Sequence, residues 1–390
     1  MPPQSVLDCL NSYVLIHDHM SIFRPVFNNL RFIGVRLARP DILFWTLPLL
    51  MVIVVVGTVA QKDLGLLKSQ QLYFSSWLIW FGFVPFPGGM TLLVIFFVNL
   101  LMKFLLFSEW AWHKAGIIIT HFGVLLLLLG GLFTALTQEE GYLVIEQGSQ
   151  ATIIKDYHQR ELQIYRDGDR VITMPHQALH RGLELSDPAL PFKMNIDTYC
   201  YNCKIQRRAE ADQADWVPPG KFMQLVPTDA SPSDEENLTG IEFTIQGSGA
   251  TDGKYLTFDA FPKPPELEVG GHSYKITIDR SERTLPFTVQ LDKFERELHP
   301  GTSMASAYHS LVTVLDGDTK WTASIRMNEP LRYRGYTLYQ SSFDLSGEKP
   351  FTVLSVVRNT GRLFPYISSL IMAAGLILHL IIRLRRKVTT

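Results

Sequence analysis

The side chains that could do chemistry are few: two histidines inside apolar runs, a Cys-x-x-Cys pair, and a second pair of histidines one helical turn apart. His121 lies within Gly116 to Leu136, 21 residues of apolar or small character. That run is long enough, at 1.5 Å per residue, to cross a hydrocarbon core of roughly 30 Å. An imidazole there needs a partner, because a polar group left unpaired in lipid costs several kcal/mol by order of magnitude. It is therefore a candidate functional residue. His379 lies four residues before Arg383 in the last apolar run, Phe364 to Ile382. Helical rise places His121 about 10 Å and His379 about 6 Å from the basic end of each run. Two neutral imidazoles at similar depth could face each other across a metalloporphyrin, as axial ligands of haem iron. The alternative is plain structure: a hydrogen bond to a neighbouring helix, or to Ser368 or Ser369.

Cys200 and Cys203 flank Tyr201-Asn202. The pair could be a redox centre, a structural disulfide or two ordinary thiols. Residues three apart on a continuous strand point to opposite faces, so a bridge requires a turn at Tyr201-Asn202. There is no second Cys-x-x-Cys to complete a zinc site. His176 and His180 follow Pro175 at i, i+4 spacing, which would suit a one-sided metal contact on a helical turn or simply two solvated imidazoles. His113 falls at a predicted surface turn. No phosphate loop, nucleophile elbow or zinc-protease signature is present, so nothing proposes hydrolytic or covalent catalysis by this chain alone.

The elements that must position these residues follow from composition. The chain has 390 residues, 47% hydrophobic and 19% charged, with a formal net charge of −1 and three cysteines. That balance argues against a nucleic-acid partner and against a disulfide-stapled scaffold, and for a membrane protein carrying a polar domain. The beginning of the chain lacks a short apolar core with a small-residue cleavage site, so the first long apolar run is expected to be a retained span. Four spans are predicted: Ile42 to Ala60, Thr91 to Phe107, Gly116 to Leu136 and Phe364 to Ile382. Arg24, Arg31, Arg36 and Arg39 before the first, Lys103 near the end of the second, and Arg383-Leu384-Arg385-Arg386-Lys387 after the last predict that both termini are cytoplasmic. Residues 71–88 are aromatic-rich and end in Pro and Gly, which predicts an interfacial or re-entrant helix on the outer side.

Between the third and fourth spans, residues 137–361 contain no run long enough to cross. Segments such as Tyr274-Lys275-Ile276-Thr277-Ile278 and Ser310-Leu311-Val312-Thr313-Val314 alternate with period two, and Asp-Gly turns separate them. The expected fold class is thus a membrane protein, α + β, with four transmembrane helices and a large extracytoplasmic all-β, sandwich-like domain inserted between helices 3 and 4. Leu190-Pro191-Phe192-Lys193-Met194-Asn195-Ile196-Asp197-Thr198-Tyr199 echoes Leu285-Pro286-Phe287-Thr288-Val289-Gln290-Leu291-Asp292-Lys293-Phe294, which predicts two similar lobes joined across 230–237.

Gly57-Thr58-Val59-Ala60-Gln61, Gly116 through Gly123 with His121, Met327-Asn328-Glu329-Pro330-Leu331-Arg332-Tyr333-Arg334-Gly335-Tyr336-Thr337-Leu338-Tyr339-Gln340-Ser341-Ser342-Phe343, and Arg358-Asn359-Thr360-Gly361-Arg362 resemble, in this order, the ResB family, also called CcsB, of System II cytochrome c biogenesis. The resemblance implies a multi-pass protein of the bacterial cytoplasmic membrane. With a ResC or CcsA partner, such a protein delivers haem to the Cys-x-x-Cys-His motif of apocytochrome c outside the cytoplasm. A span histidine of this subunit would hold the haem in transit, and His121 is the position that fits. The competing expectation is a thiol reductant of apocytochrome c working through Cys200 and Cys203, or a scaffold for the partner.

Overall fold

The computed structural model describes residues 32–389 apart from 260, 303 and 304, and leaves the side chains of 305 and 386–389 outside the description. Arg24 and Arg31, and the side chains of Arg386 and Lys387, thus lie outside the described residues. The chain divides into a helical unit and a β unit, the latter covering mainly Gln138–Asn359.

Four long helices carry the apolar runs: α1 (Pro40–Leu64), α2 (Gly89–Phe107), α3 (Ala115–Thr137) and α4 (Phe364–Thr389). Each contains a stretch long and apolar enough to cross a membrane. Three precede the β unit and one follows it, as the sequence predicts. α1 begins on Pro40, whose missing N–H is no loss in a first turn, and Asp41 there and Lys62 in the last turn complement the helix dipole. Asn99, buried within α2, donates from Nδ2 to the carbonyls of Leu37 (2.6 Å) and Arg39 (2.9 Å). One polar group in a span thereby satisfies backbone acceptors left open just before α1.

The aromatic stretch between α1 and α2 departs from expectation. Instead of an interfacial helix it forms an antiparallel hairpin, β1 (Leu78–Phe81) and β2 (Val84–Pro87), after a single π-helical turn at Gln70–Phe74. Pro85 and Pro87 lack the N–H groups a helix would use, and Gly82 takes φ +63° at the bend. Ile79, 2% exposed, packs with Ile53 of α1 and Leu92 of α2. Trp77, Trp80 and Phe83 on the hairpin remain exposed.

The β unit is antiparallel throughout its named strands. One sheet runs β15-β14-β13-β4-β3-β18-β17-β16, with β5 (Asp169–Pro175) added on β4 and β12 (Glu266–Val269) on β13. Its members are β3 (Glu139–Glu146), β4 (Gln150–Arg166), β13 (His272–Leu298), β14 (Ala305–Asp316), β15 (Thr319–Arg326), β16 (Leu331–Tyr333), β17 (Tyr336–Asp344) and β18 (Phe351–Arg358). A second sheet runs β11-β10-β7-β6, from β6 (Glu184–Leu185), β7 (Lys193–Cys200), β10 (Gly240–Gln246) and β11 (Gly253–Phe258). A separate hairpin joins β8 (Cys203–Arg207) and β9 (Met223–Pro227).

Alternating side chains bury into two principal cores. Phe192, Met194 and Ile196 of the first Leu-Pro-Phe segment enter one, beside Leu162, Ile164, Ile276 and Ile278. Phe287, Val289 and Leu291 of the second enter the other, beside Leu143, Val312 and Leu354. β4 and β13 are long enough to serve both cores. Their pairing breaks between them, because Arg280 pairs with Arg160 while Glu282 pairs with Lys155. Asp156 to Gln159 are therefore extruded from β4 as a bulge, a device that re-aims side chains.

Candidate functional site

α3 and α4 approach each other across a line of glycines. Gly116, Gly123 and Gly130 recur every seven residues, which returns to nearly the same helix face. A Cβ added at Gly116 would lie 2.4 Å from the His379 nitrogen, and one at Gly123 2.6 Å from Met372 Cγ. At Gly130 it would lie 2.2 Å from Phe364 Cβ, and from the other side Gly375 sits equally close to the Thr120 backbone. Backbones this near gain van der Waals contact where lipid offers no hydrophobic drive.

That seam fixes where the two histidines go. His121 is five residues past Gly116 and two before Gly123, so it stands about 140–160° around α3 from the seam. It is exposed, and its Nδ1 lies 2.8 Å from the Ile117 carbonyl oxygen. A carbonyl only accepts, so Nδ1 carries the proton and donates it. The neutral ring then bears its lone pair on Nε2, the form a metal takes.

His379 is placed differently. Its backbone backs onto Gly116 at the seam, and its Nδ1 is buried without a partner among the described residues. A buried orphan donor is rarer than an under-satisfied acceptor, which favours a bare Nδ1 and the proton on Nε2. The structure does not bring His121 and His379 together across one cleft. Nor does it pair His121 with Ser368, whose buried hydroxyl is without a partner among the described residues.

In the β unit, β7 ends at Cys200 and β8 begins at Cys203, with a bend at Tyr201-Asn202. The two sulfurs form a disulfide, with Cα atoms 5.5 Å apart and each residue 4% exposed. The bend ties down the segment 228–239. Asn202 donates to the Asp229 carbonyl (2.8 Å) and accepts from Leu238 N (3.2 Å), while Thr239 Oγ1 donates to the Tyr201 carbonyl (2.8 Å). Tyr201 also donates its hydroxyl to Asp234.

Beneath the bend lies Arg160, fully buried. Its Nε donates to Asp259 Oδ2 (2.9 Å), and its terminal nitrogens donate to the carbonyls of Asp234 (2.8 Å), Asn237 (3.1 Å) and His158 (3.3 Å). Burial pushes the Asp234 carboxyl up, but hydrogen bonds from His158 and Tyr201 and the Arg160 charge outweigh it and bring it to about 2. Burial and the bond to Asp234 push the Tyr201 phenol up to about 12.

The second histidine pair is not assembled into a ligand set. His176 sits on a single 3-10 turn, stacked on Tyr201 at 5.2 Å with Nδ1 3.2 Å from the Tyr199 hydroxyl. Burial lowers its pKa. His180 is exposed, with Nδ1 3.2 Å from the Arg181 carbonyl, and His113 lies exposed on the turn before α3. Among the described residues no group of three or more His, Cys, Asp or Glu side chains could hold a metal ion. The ionic cluster of Arg160, Asp234, Asp259 and His158 escaped sequence reading. Its basic members, His158 and Arg160, stand 74 to 101 residues before its acidic ones, Asp234 and Asp259, and no local spacing signals the pairing.

A buried disulfide in such a bend acts as a staple. Replacing both Cys200 and Cys203 by Ser is expected to lower the stability of the β unit by about 2 kcal/mol, from the entropy of so short a loop. Thermal denaturation followed by far-UV circular dichroism reads this, and an unchanged melting temperature contradicts it.

Residues 327–343 form a folded corner. β16 and β17 make a hairpin whose tip, Arg334-Gly335, has both φ angles positive, +46° and +82°. Tyr333 meets Phe287 and Trp321 edge-on and donates to Asp316 Oδ2 (2.7 Å), which also pairs with Arg334 Nε (2.8 Å). Gln340 is buried, accepting from Ser310 Oγ (2.7 Å) and donating to Thr352 Oγ1 (2.8 Å). This corner falls inside the part of the chain that matches known proteins. Residues 271–350 match the profile of the ResB-like family, which bears out the resemblance read from the sequence. A stretch of 102 residues is 31% identical to Protein NrfI of Wolinella succinogenes, covering 26% of this chain. The match spans only 11% of that relative's length.

Proposed function

We propose that this chain, ResB-like over residues 271–350, is a membrane subunit of cytochrome c biogenesis that holds haem through His121. With a ResC/CcsA-type partner it hands the haem to apocytochrome c outside the cytoplasm. The observation that carries the reading is the state of one imidazole: His121 is exposed on a membrane-length helix with Nδ1 bound to Ile117 and Nε2 without a partner among the described residues. A polar side chain facing out of a span is costly unless something covers it. A partner helix and a bound haem would together do so.

The chain's own residues would supply one nitrogen to the haem iron, that of His121, and fix its orientation. The Ile117 carbonyl holds the tautomer and the ring plane, as outer partners of metal-binding histidines do. Haem, when bound, brings the iron that accepts this nitrogen, and its apolar macrocycle suits a surface of leucine and isoleucine. His379 is the weaker candidate, because use of its Nε2 would push a proton onto an Nδ1 that has no acceptor among the described residues. The charges support cytoplasmic termini: Arg36 and Arg39 precede α1, Lys103 and Lys114 flank the α2–α3 turn, and Arg383 and Arg385 close α4. The β unit would then lie on the opposite side.

The test is the absorption spectrum of the protein purified with its partner. His121→Ala is expected to lower the retained Soret absorbance about tenfold or more, and His379→Ala by about twofold or less. Undiminished haem and holocytochrome yield in His121→Leu overturns the reading. Burial of the Cys200–Cys203 disulfide at 4% exposure disfavours the thiol-reductant alternative, since exchange needs an accessible sulfur.

A further inference from the structure

We propose that the hairpin between α1 and α2 is a lipid-inserted anchor, its aromatic face immersed in the leaflet reached by the C-terminal end of α1. The inference concerns the helical unit's contact with the bilayer and does not depend on haem. Between Lys68 and Lys103 the chain carries no charged residue, and that stretch holds β1, β2 and most of α2.

One side of the hairpin is settled against the spans. Ile79 packs with Ile53 and Leu92, and Thr91 Oγ1 donates to the Trp77 carbonyl (2.5 Å). Glycines admit the turn that leads into it: a Cβ at Gly57 would lie 2.7 Å from the Phe74 ring, and one at Gly89 2.6 Å from the Phe74 carbonyl oxygen. Ile53 stands seven residues before Ala60, about 10 Å inside the apolar run by helical rise. A span that crosses a bilayer therefore carries the hairpin in with it. The other side is bare, with Trp80, Phe81 and Val84 51–64% exposed and Phe83 at the tip 99% exposed.

The open edge of β2 suits a medium without water. Gly82, at φ +63°, opens a two-residue turn, and such a turn makes the flanking Phe81 and Val84 a hydrogen-bonded pair. Bonded pairs alternate along antiparallel strands, so Ile79 with Phe86 and Trp77 with Gly88 come next. Gly88 N does donate to the Trp77 carbonyl (2.9 Å). The N–H groups directed away from β1 would belong to the residues between, and these are Pro85 and Pro87. Neither has an N–H, so that edge leaves no donor stranded in hydrocarbon. A docking face for protein would carry a polar rim, or an edge able to extend the sheet, and this one offers neither. Exposed tryptophan beside the end of a span is instead the residue of the lipid boundary.

The experiment places a nitroxide label at Phe83→Cys in the full chain, reconstituted in vesicles of phosphatidylethanolamine and phosphatidylglycerol. Cys9→Ser removes the other free thiol position and leaves the Cys200–Cys203 disulfide intact. Collision with dissolved oxygen, which concentrates in lipid, is compared with collision with a water-soluble nickel chelate. Leu129→Cys on α3, an exposed position well inside a span, and Asp318→Cys, on an exposed turn of the β unit, set the two ends of the scale. The Phe83 label is expected to match the Leu129 label in its oxygen-to-nickel ratio and to keep that ratio when the ResC/CcsA-type partner is reconstituted with the chain. Because Phe83 touches little, the label should not disturb folding, and far-UV circular dichroism checks this. A ratio equal to that at Asp318 overturns the proposal. So does a label shielded from both reagents, or one shielded from nickel only when the partner is present, since either result assigns the face to protein.

Discussion

Arg160→Leu is expected to destabilise the β unit by about 3–5 kcal/mol. The guanidinium is fully buried, and it satisfies Asp259 together with the carbonyls of His158, Asp234 and Asn237. Leucine fits the volume and removes the charge. It leaves the carboxylates of Asp259 and Asp234, 8% and 9% exposed, with Arg280 and His158 as their remaining cationic partners. Breaking a buried pair from one side costs about 3–5 kcal/mol, against a total stability of about 5–15 kcal/mol for a domain. Arg160→Lys is expected to recover only part of this, because an ammonium is one point of charge where three nitrogens now bond in different directions. Chemical denaturation followed by far-UV circular dichroism measures both variants. A leucine variant within about 1 kcal/mol of the parent contradicts the assignment, since that is the range of an exposed pair. Asp259→Asn added to Arg160→Leu is expected to restore some stability by removing the stranded charge, and a strictly additive loss would show that the two do not act as a pair.

How much of this was legible in the sequence depends on the range of each interaction. α1 to α4 were legible because an uninterrupted apolar run long enough to span has few other uses, and His121 was legible as the polar residue that such a run should exclude. The bend between Cys200 and Cys203 was legible only as the condition for a bridge, because residues three apart on a strand face opposite ways; whether the sulfurs join was not. The hairpin at Leu78–Pro87 was not, because Trp, Ile and Phe suit an interfacial helix and a strand equally. Pro85, Pro87 and Gly82 held the deciding information. The placement of His379 depended on Gly116, Gly123 and Gly130, whose spacing of seven lies in plain sight but means a seam only once α4 is laid against α3. Tyr274 to Ile278 reads as one short strand, yet it is part of the 27-residue β13, because its two register breaks against β4 let a single strand bend from one core to the other. Arg160 and Asp259, 99 residues apart, have no local signature at all.

The glycine seam separates the two histidines experimentally. Gly116→Leu is expected to force α3 and α4 apart, since the added Cβ alone would meet the nitrogen, Cα and Cβ of His379 at 2.4–2.6 Å, two of them backbone atoms that cannot rotate away. Overpacking of this kind costs about 1–3 kcal/mol where side chains can adjust, and more where they cannot. Gly131→Leu is the matched control, on the same helix with nothing within 4 Å of its Cβ position, and it is expected to leave the melting temperature nearly unchanged. Equal behaviour of the two variants in detergent thermal denaturation would contradict the seam. The smaller Gly116→Ala change then asks the functional question. It displaces His379 while His121, about 140° around the helix, keeps its bond to Ile117. If His121 alone holds the iron, haem is retained by a destabilised but folded Gly116→Ala protein. Loss of haem from that protein with its helices still folded would return His379 to the ligand set, and the second axial nitrogen would then come from this chain and not from its partner.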